Sequence, residues 1–107
     1  MSGKTYDEWY IYYTESVLML YLRFAFDELK SSENLRKHGI DFLEAQKLWL
    51  DPDRVEIAAR YVGEIRLIVI GRVEGRHWAA VVTPRGELIR MISVRRARVK
   101  EVEIYDR

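Results

Sequence analysis

Hydrophobic positions change their spacing several times along the chain. Tyr6, Trp9, Tyr10, Tyr13 and Val17 recur at three- and four-residue intervals, which fits an amphipathic helix over residues 5–18, although so many aromatics also suit a strand. From Leu20 to Phe26 the period drops to two, with Leu20, Leu22, Phe24 and Phe26 on one face of an expected strand. Asp27 then stands as a helix N-cap before a polar run to His38, and Gly39 supplies the left-handed residue that stops it. Asp41 caps a second helix with Glu44 in capping-box position. Phe42, Ala45, Leu48 and Trp49 form its apolar stripe, and Asp51-Pro52 ends it because the residue before proline avoids helical dihedrals.

Beyond Pro52 the chain turns to β-branched residues and alternation. Strands are expected over Arg54–Ala59, Ile65–Arg72, Arg76–Thr83 and Leu88–Ser93, with turns at Glu74-Gly75 and Pro84-Arg85-Gly86. The order β-α-α-β-β-β-β predicts an α+β domain, an antiparallel sheet with two helices packed on one face. The tail Val94–Tyr105 fits two descriptions. Ala97/Val99 and Val102/Ile104 alternate with a break in phase between the pairs, whereas Ser93 would cap a C-terminal helix carrying Arg95, Arg96, Arg98 and Lys100.

Composition narrows what such a domain can do. With 107 residues, 49% of them hydrophobic, one core is expected. The chain has no cysteine, hence no disulfide frame or thiolate metal site, and His38 and His77 alone make a histidine-rich zinc site improbable. No apolar run reaches membrane-spanning length, and the acidic flank before Val17–Leu22 is wrong for a signal peptide, so a cytoplasmic location is expected. The net charge of +1 conceals an asymmetry. Residues 1–59 carry 7 Lys/Arg against 11 Asp/Glu, residues 60–100 carry 10 against 3, and residues 101–107 carry 1 against 3. A basic half joined to an acidic one is the footprint of a polyanion-binding face.

Two arginines stand out within that half. Arg66 shares a strand face with Ile68 and Ile70, and Arg90 shares one with Leu88 and Ile92. A guanidinium amid apolar neighbours is costly unless an anion meets it. Either Glu64 or a helix carboxylate supplies that anion in a structural ion pair, or the arginines form a fork for phosphate oxygens, with Arg85, Arg95 and Arg96 nearby. Lys37 and His38 close the first helix, where cations ordinarily satisfy the last carbonyls. His77 reads as a solvated strand residue, and Tyr105 as an anchor for the terminal segment. The early aromatics Trp9, Tyr10, Tyr12 and Tyr13 suit base stacking, core or an oligomer contact. No phosphate-binding glycine loop or nucleophile elbow is present.

An ordered series of blocks adds a family. Phe24-Ala25-Phe26-Asp27, Lys30 and Asn34-Leu35-Arg36-Lys37-His38-Gly39-Ile40 resemble the opening of the BrnT family, where F-x-W-D leads through lysine to N-L-x-K-H-G-[IV]. Phe42-Leu43-Glu44-Ala45 and Asp51-Pro52 resemble its F-x-E-A and D-P. Glu64-Ile65-Arg66 and Ile70-Gly71 resemble its E-x-R and I-G. Thr83-Pro84-Arg85, Arg90-Met91-Ile92-Ser93-Val94-Arg95-Arg96-Ala97, Glu101 and Tyr105 complete the series in one register. Phe26 stands where the family usually has tryptophan, and residues 1–18 have no counterpart. The domain is accordingly read as residues 19–107. Residues 1–18 become an N-terminal extension or the product of an upstream-shifted start, with Met19 where family members begin.

The resemblance implies a RelE-like fold and an RNA-cleaving toxin of a type II toxin–antitoxin system. It also implies a ribbon-helix-helix antitoxin, BrnA, that binds the toxin and carries the complex to operator DNA. A metal-independent endoribonuclease without cofactor is expected, with Arg66, Arg90 and Arg95 binding phosphate and transition state and Arg85 and Arg96 assisting. His38, Lys37 and Tyr105 are further members of the site, and Lys37, His38 and Glu64 are the candidates for a general base. The alternatives are a non-catalytic module acting as co-repressor with a DNA-binding partner, and a degenerate toxin whose extension blocks the groove.

Overall fold

The computed structural model describes residues 23–107, so the expected helix over residues 5–18 and the start of the first strand lie outside the described residues. Five strands form one sheet in the order β1-β5-β4-β3-β2. They are β1 (Arg23–Ala25), β2 (Val55–Tyr61), β3 (Glu64–Val73), β4 (Arg76–Arg85) and β5 (Leu88–Arg96). All neighbours run antiparallel except β1, which pairs parallel to β5 over three residues. The class is α+β, as expected, but the sheet is mixed at that edge. After β1 and the helices come four hairpin-linked strands, the last of which lies beside β1 and runs in its direction, and alternation alone carries no sign of that direction.

Local chemistry sets the helices. Helix α1 (Glu28–His38) begins where the Asp27 carboxylate accepts from the N–H groups of Leu29 (2.8 Å) and Lys30 (3.2 Å). It ends at Gly39, whose φ of 83° would strain any side chain with a Cβ. Helix α2 (Phe42–Ala45) starts with Asp41 accepting from Glu44 N–H, then tightens into a 3-10 turn over Gln46–Leu50. The single second helix expected from the apolar stripe is therefore two kinds of helix in series, yet Phe42, Ala45, Leu48 and Trp49 are all buried as that stripe required. They pack with Ile40, Val69, Val73, Trp78, Ala80, Val82, Met91 and Val94 in one core, flanked by Phe24 and Phe26. Phe24 meets Trp49 edge-on at 4.9 Å, and Phe26 meets Phe42 at 5.8 Å.

The tail is resolved by a third helix, α3 (Val99–Tyr105), but β5 runs on through Ser93 to Arg96 before it. Ser93 is thus a strand residue, and the helix carries Lys100 but neither Arg95 nor Arg96. The opposite face of the sheet holds residues 66, 68, 70 and 72 of β3 and 77, 79, 81, 83 and 85 of β4. Helix α3 lies against β3, and Tyr105 meets His77 edge-on at 4.9 Å. This helix covers the end of the face where Ile70 and Ala79 are fully buried. His77 is half-buried there, where a solvated residue was expected. The other end of the face has no helix over it among the described residues.

One irregularity decides what that face displays. Val81 pairs with Ser93 and Val82 with Met91, so Ile92 is an extra residue, a β-bulge. Met91 and Val94 therefore both point into the core, and Arg90, Ser93 and Arg95 share the opposite face.

Candidate nucleic-acid interface

On the open end of that face, Arg66, Thr83 and Arg90 lie in one row. Thr83 is directly opposite Arg90 across β4 and β5, and one position beyond the Leu67–Val82 pair sets Arg66 opposite Thr83. Thr83 is 2% exposed, and its hydroxyl donates to the Ile65 carbonyl at 2.9 Å, so it fixes the floor of the row. Glu64, at the start of β3, points to the same side. Arg66 Nε donates to Glu64 Oε2 at 2.8 Å, and Arg85 Nη2 stands 3.6 Å from Glu64 Oε1. The bond from Arg66, with the charges of Arg66, Arg85 and Arg90, holds the Glu64 carboxyl below the usual carboxylate range. Three of the arginines singled out by the sequence thus converge on one carboxylate. The ion pair with Glu64 is present, and the same cluster is the candidate for the anion site.

Arg95 shares the face but stands in a different arrangement. Its Nη1 and Nη2 donate to the two Glu101 oxygens at 2.7 and 2.9 Å, a bidentate fork that ties β5 to α3. Glu101 also accepts from Arg98 N–H at 2.8 Å, which satisfies the first turn of α3. The Arg95 bond pulls the Glu101 carboxyl down, and Glu101 in turn raises Arg95. Arg96 lies on the core side, its guanidinium 5.5 Å from the centre of the Trp78 ring.

Tyr105 is held away from the row. Its hydroxyl donates to Asp51 Oδ2 at 2.8 Å, and Asp51 also accepts from the N–H groups of Arg72 and Asp53. Burial would raise the Asp51 carboxyl, but these hydrogen bonds outweigh it and leave it below its usual value. Burial and the Asp51 charge push Tyr105 up to about 12. Gly71 makes room for this knot, because a Cβ there would stand 3.0 Å from Leu48 Cδ2 and 3.3 Å from Asp51 Oδ2.

Lys37 and His38 line a separate groove of about 260 Å³ along the edge of β5, with Lys30, Asn34, Ile92 and Ser93. Of the three candidates for a general base, Glu64 is therefore the one bonded into the arginine cluster. Sequence reasoning missed Thr83, whose signal was its position opposite Arg90 in the next strand. It also missed the structural work of Asn34 and Asp51, both present in the family-like blocks.

Among the described residues, no cluster of three or more His, Cys, Asp or Glu side chains is placed to hold a metal ion, and no helix is long and apolar enough to cross a membrane. The described residues thus form an α+β domain whose sheet carries a row of arginines on the face opposite its main core. The model of the BrnT family, ribonuclease toxins of type II toxin–antitoxin systems, matches residues 26–101, and the chain belongs to that family. No curated protein matches the chain.

Proposed function

We propose that the arginine row on the open face binds the backbone of RNA, and that the chain cleaves RNA there without a metal ion. The observation that carries this reading is the pairing of Arg66 and Arg85 with a single carboxylate, with Arg90 in the same row, at the end of the sheet that no described helix covers. Guanidinium forks suit phosphate oxygens, and in a half-buried row they stabilise charge that builds up during reaction. In the reaction, a ribose 2′-hydroxyl attacks its own neighbouring phosphorus. The bond to the 5′-oxygen breaks, leaving a 2′,3′-cyclic phosphate on one fragment and a 5′-hydroxyl on the other. Holding the 2′-oxygen in line with the leaving oxygen contributes as much as acid–base chemistry does. Glu64 is the base candidate within reach of the row, and Arg95 supports the face from its place under α3.

The partner in this reading is a BrnA-like ribbon-helix-helix antitoxin, through which alone the toxin reaches operator DNA. The test is incubation of the purified full-length protein with mixed-sequence RNA in EDTA, followed by end analysis. Arg66→Ala/Arg90→Ala serves as the control for contaminating nuclease. Cyclic-phosphate and 5′-hydroxyl ends from the wild type alone support the reading. Equal cleavage by a folded double variant defeats the site, and no cleavage, with or without translating ribosomes, moves the domain to a binding role.

A further inference from the structure

The same carboxylate that marks the arginine cluster also fills it. Glu64 presents two oxygens to guanidinium groups much as a phosphate presents two of its own. It is the first residue of β3, next to the β2–β3 turn, where Val62 is 93% exposed and Gly63 has a φ of 78°. Its attachment is lopsided: one short bond to Arg66 Nε at 2.8 Å and a longer approach to Arg85 at 3.6 Å. Arg85 itself remains 58% exposed. The carboxyl, held low by the bond from Arg66, is fully charged at neutral pH. A phosphodiester reaching the row from the exposed Arg85 meets a site that already holds a negative charge.

Building on the RNA-binding reading, we propose that Glu64 is an internal competitor for phosphate, seated between Arg66 and Arg85 in the free protein and displaced when a nucleic-acid backbone enters. The exchange sets the substrate class. A lone phosphate replaces one anion by another, and gains little over the resident carboxylate. A strand that places successive phosphates against Arg66, Arg85 and Arg90 together gains contacts that Glu64 alone does not make. The row therefore discriminates for single strands of several nucleotides and against mononucleotides and free phosphate. Glu64 supplies that discrimination by raising the threshold for entry.

The test separates binding from cleavage by using a fluorescent octathymidylate, which lacks the 2′-hydroxyl, with inorganic phosphate as the single-anion probe. Wild type, Glu64→Gln and Glu87→Gln are compared as full chains at constant ionic strength, with circular dichroism to establish folding. Glu87 is an exposed glutamate in the β4–β5 turn and controls for loss of one negative charge. Glu64→Gln should bind both probes more tightly, by about tenfold for the removal of one charge at ion-pair distance. Its preference for the oligonucleotide over phosphate should shrink, while Glu87→Gln changes binding by less than about threefold. Unchanged or weaker binding by Glu64→Gln overturns the proposal, since the carboxylate would then be holding the arginines in their binding arrangement. Equal tightening by both variants also overturns it, leaving only net charge. Cleavage of RNA by the wild type, rather than by Glu64→Gln, reports separately on the ribonuclease reading: tightening in Glu64→Gln with no wild-type cleavage keeps the competitor and removes the catalyst. Cleavage with no tightening does the reverse.

Discussion

Asn34 and Val94 are 60 residues apart in sequence, yet Asn34 Nδ2 donates to the Val94 carbonyl at 2.9 Å and Asn34 Oδ1 accepts from Val94 N–H at 3.1 Å. The side-chain amide takes the place of a neighbouring strand. Among the described residues β1 pairs only with Leu88–Arg90 and no strand continues along the later part of β5 on that side, where a buried amide from α1 satisfies Val94. The remaining Asn34 proton goes to the Ile40 carbonyl at 2.8 Å, which fastens the α1–α2 turn to the same point. Asn34→Ala strips three bonds from a buried site and should cost about 3 kcal/mol in urea unfolding. Asn34→Asp, which keeps one acceptor but loses both donors, should cost a similar amount. A loss under about 0.5 kcal/mol for both would mean that water replaces the amide.

The arginine row makes a separable prediction. Arg66→Ala and Arg90→Ala should each lower RNA cleavage by at least about a hundredfold, the scale of losing one charge-stabilising donor, and should abolish growth inhibition. Their unfolding midpoints should stay near that of the wild type, because both side chains face the open end of the sheet. End-mapped cleavage and denaturation on the same samples check this.

Arg95 should behave differently from its neighbours on the face. Because it is tied at both nitrogens to Glu101, Arg95→Ala and Glu101→Ala should each loosen α3. A double-mutant cycle between them should give a coupling of about 1–2 kcal/mol. Glu101 is depressed in the fold, so this contribution is present above its ordinary carboxylate value and fades as pH falls through the lowered one. The difference in stability between wild type and Glu101→Gln should therefore shrink on acidification.

Tyr105 gives the opposite sign at the alkaline end. Its folded value is about 12 against an ordinary 10.0, so the neutral hydroxyl is favoured by folding. Its contribution is whole below pH 10 and is lost as pH rises towards 12. Tyr105→Phe should cost about 1 kcal/mol at neutral pH, and that cost should vanish across this window. A difference that is flat with pH would show that the hydroxyl bond to Asp51 contributes nothing.

Much of the fold is legible in the sequence because its chemistry is local. Asp27, Gly39, Asp41 and Glu44 each state the start or end of a helix within four residues of themselves, and the apolar alternation of β3 and β4 states which side is inside. Arg66 and Arg90 are legible as the cluster because each interrupts an apolar stretch. What depends on a distant partner is not legible. The parallel pairing of β1, the amide bridge from Asn34 and the Asp51–Tyr105 bond join residues that no sequence window contains. The tightening of the second helix into a 3-10 turn leaves its buried residues unchanged, so the hydrophobic pattern carries no trace of it. Arg95 stands in the sequence as a candidate for the phosphate site, and Tyr105 both as such a candidate and as a terminal anchor, but nothing local states which carboxylate each one meets.

Gly71 shows the same principle in a motif that alternation cannot explain. A Cβ at this position would press on Leu48 and on the Asp51 oxygen that accepts from Tyr105 and from Arg72 N–H. Gly71→Ala should cost about 1–3 kcal/mol in unfolding free energy through crowding of this site. Combined with Tyr105→Phe, the loss should be less than the sum of the two, since both act on Asp51.

The bulge at Ile92 makes the display of charge on this sheet a matter of counting. With strict alternation, Arg90 and Arg95, five positions apart, would fall on opposite sides. The one unpaired residue restores them to the same side and sends Val94 inward. Drawing Ile92 into the ladder opposite Val81 would change nothing in the composition. It would nevertheless invert everything downstream, setting Val94 opposite Ala79 on the far face and Arg95 opposite Trp78 on the core side. A frame of one residue, rather than any charged group, thus decides whether the end of β5 carries its cations outside or buries them.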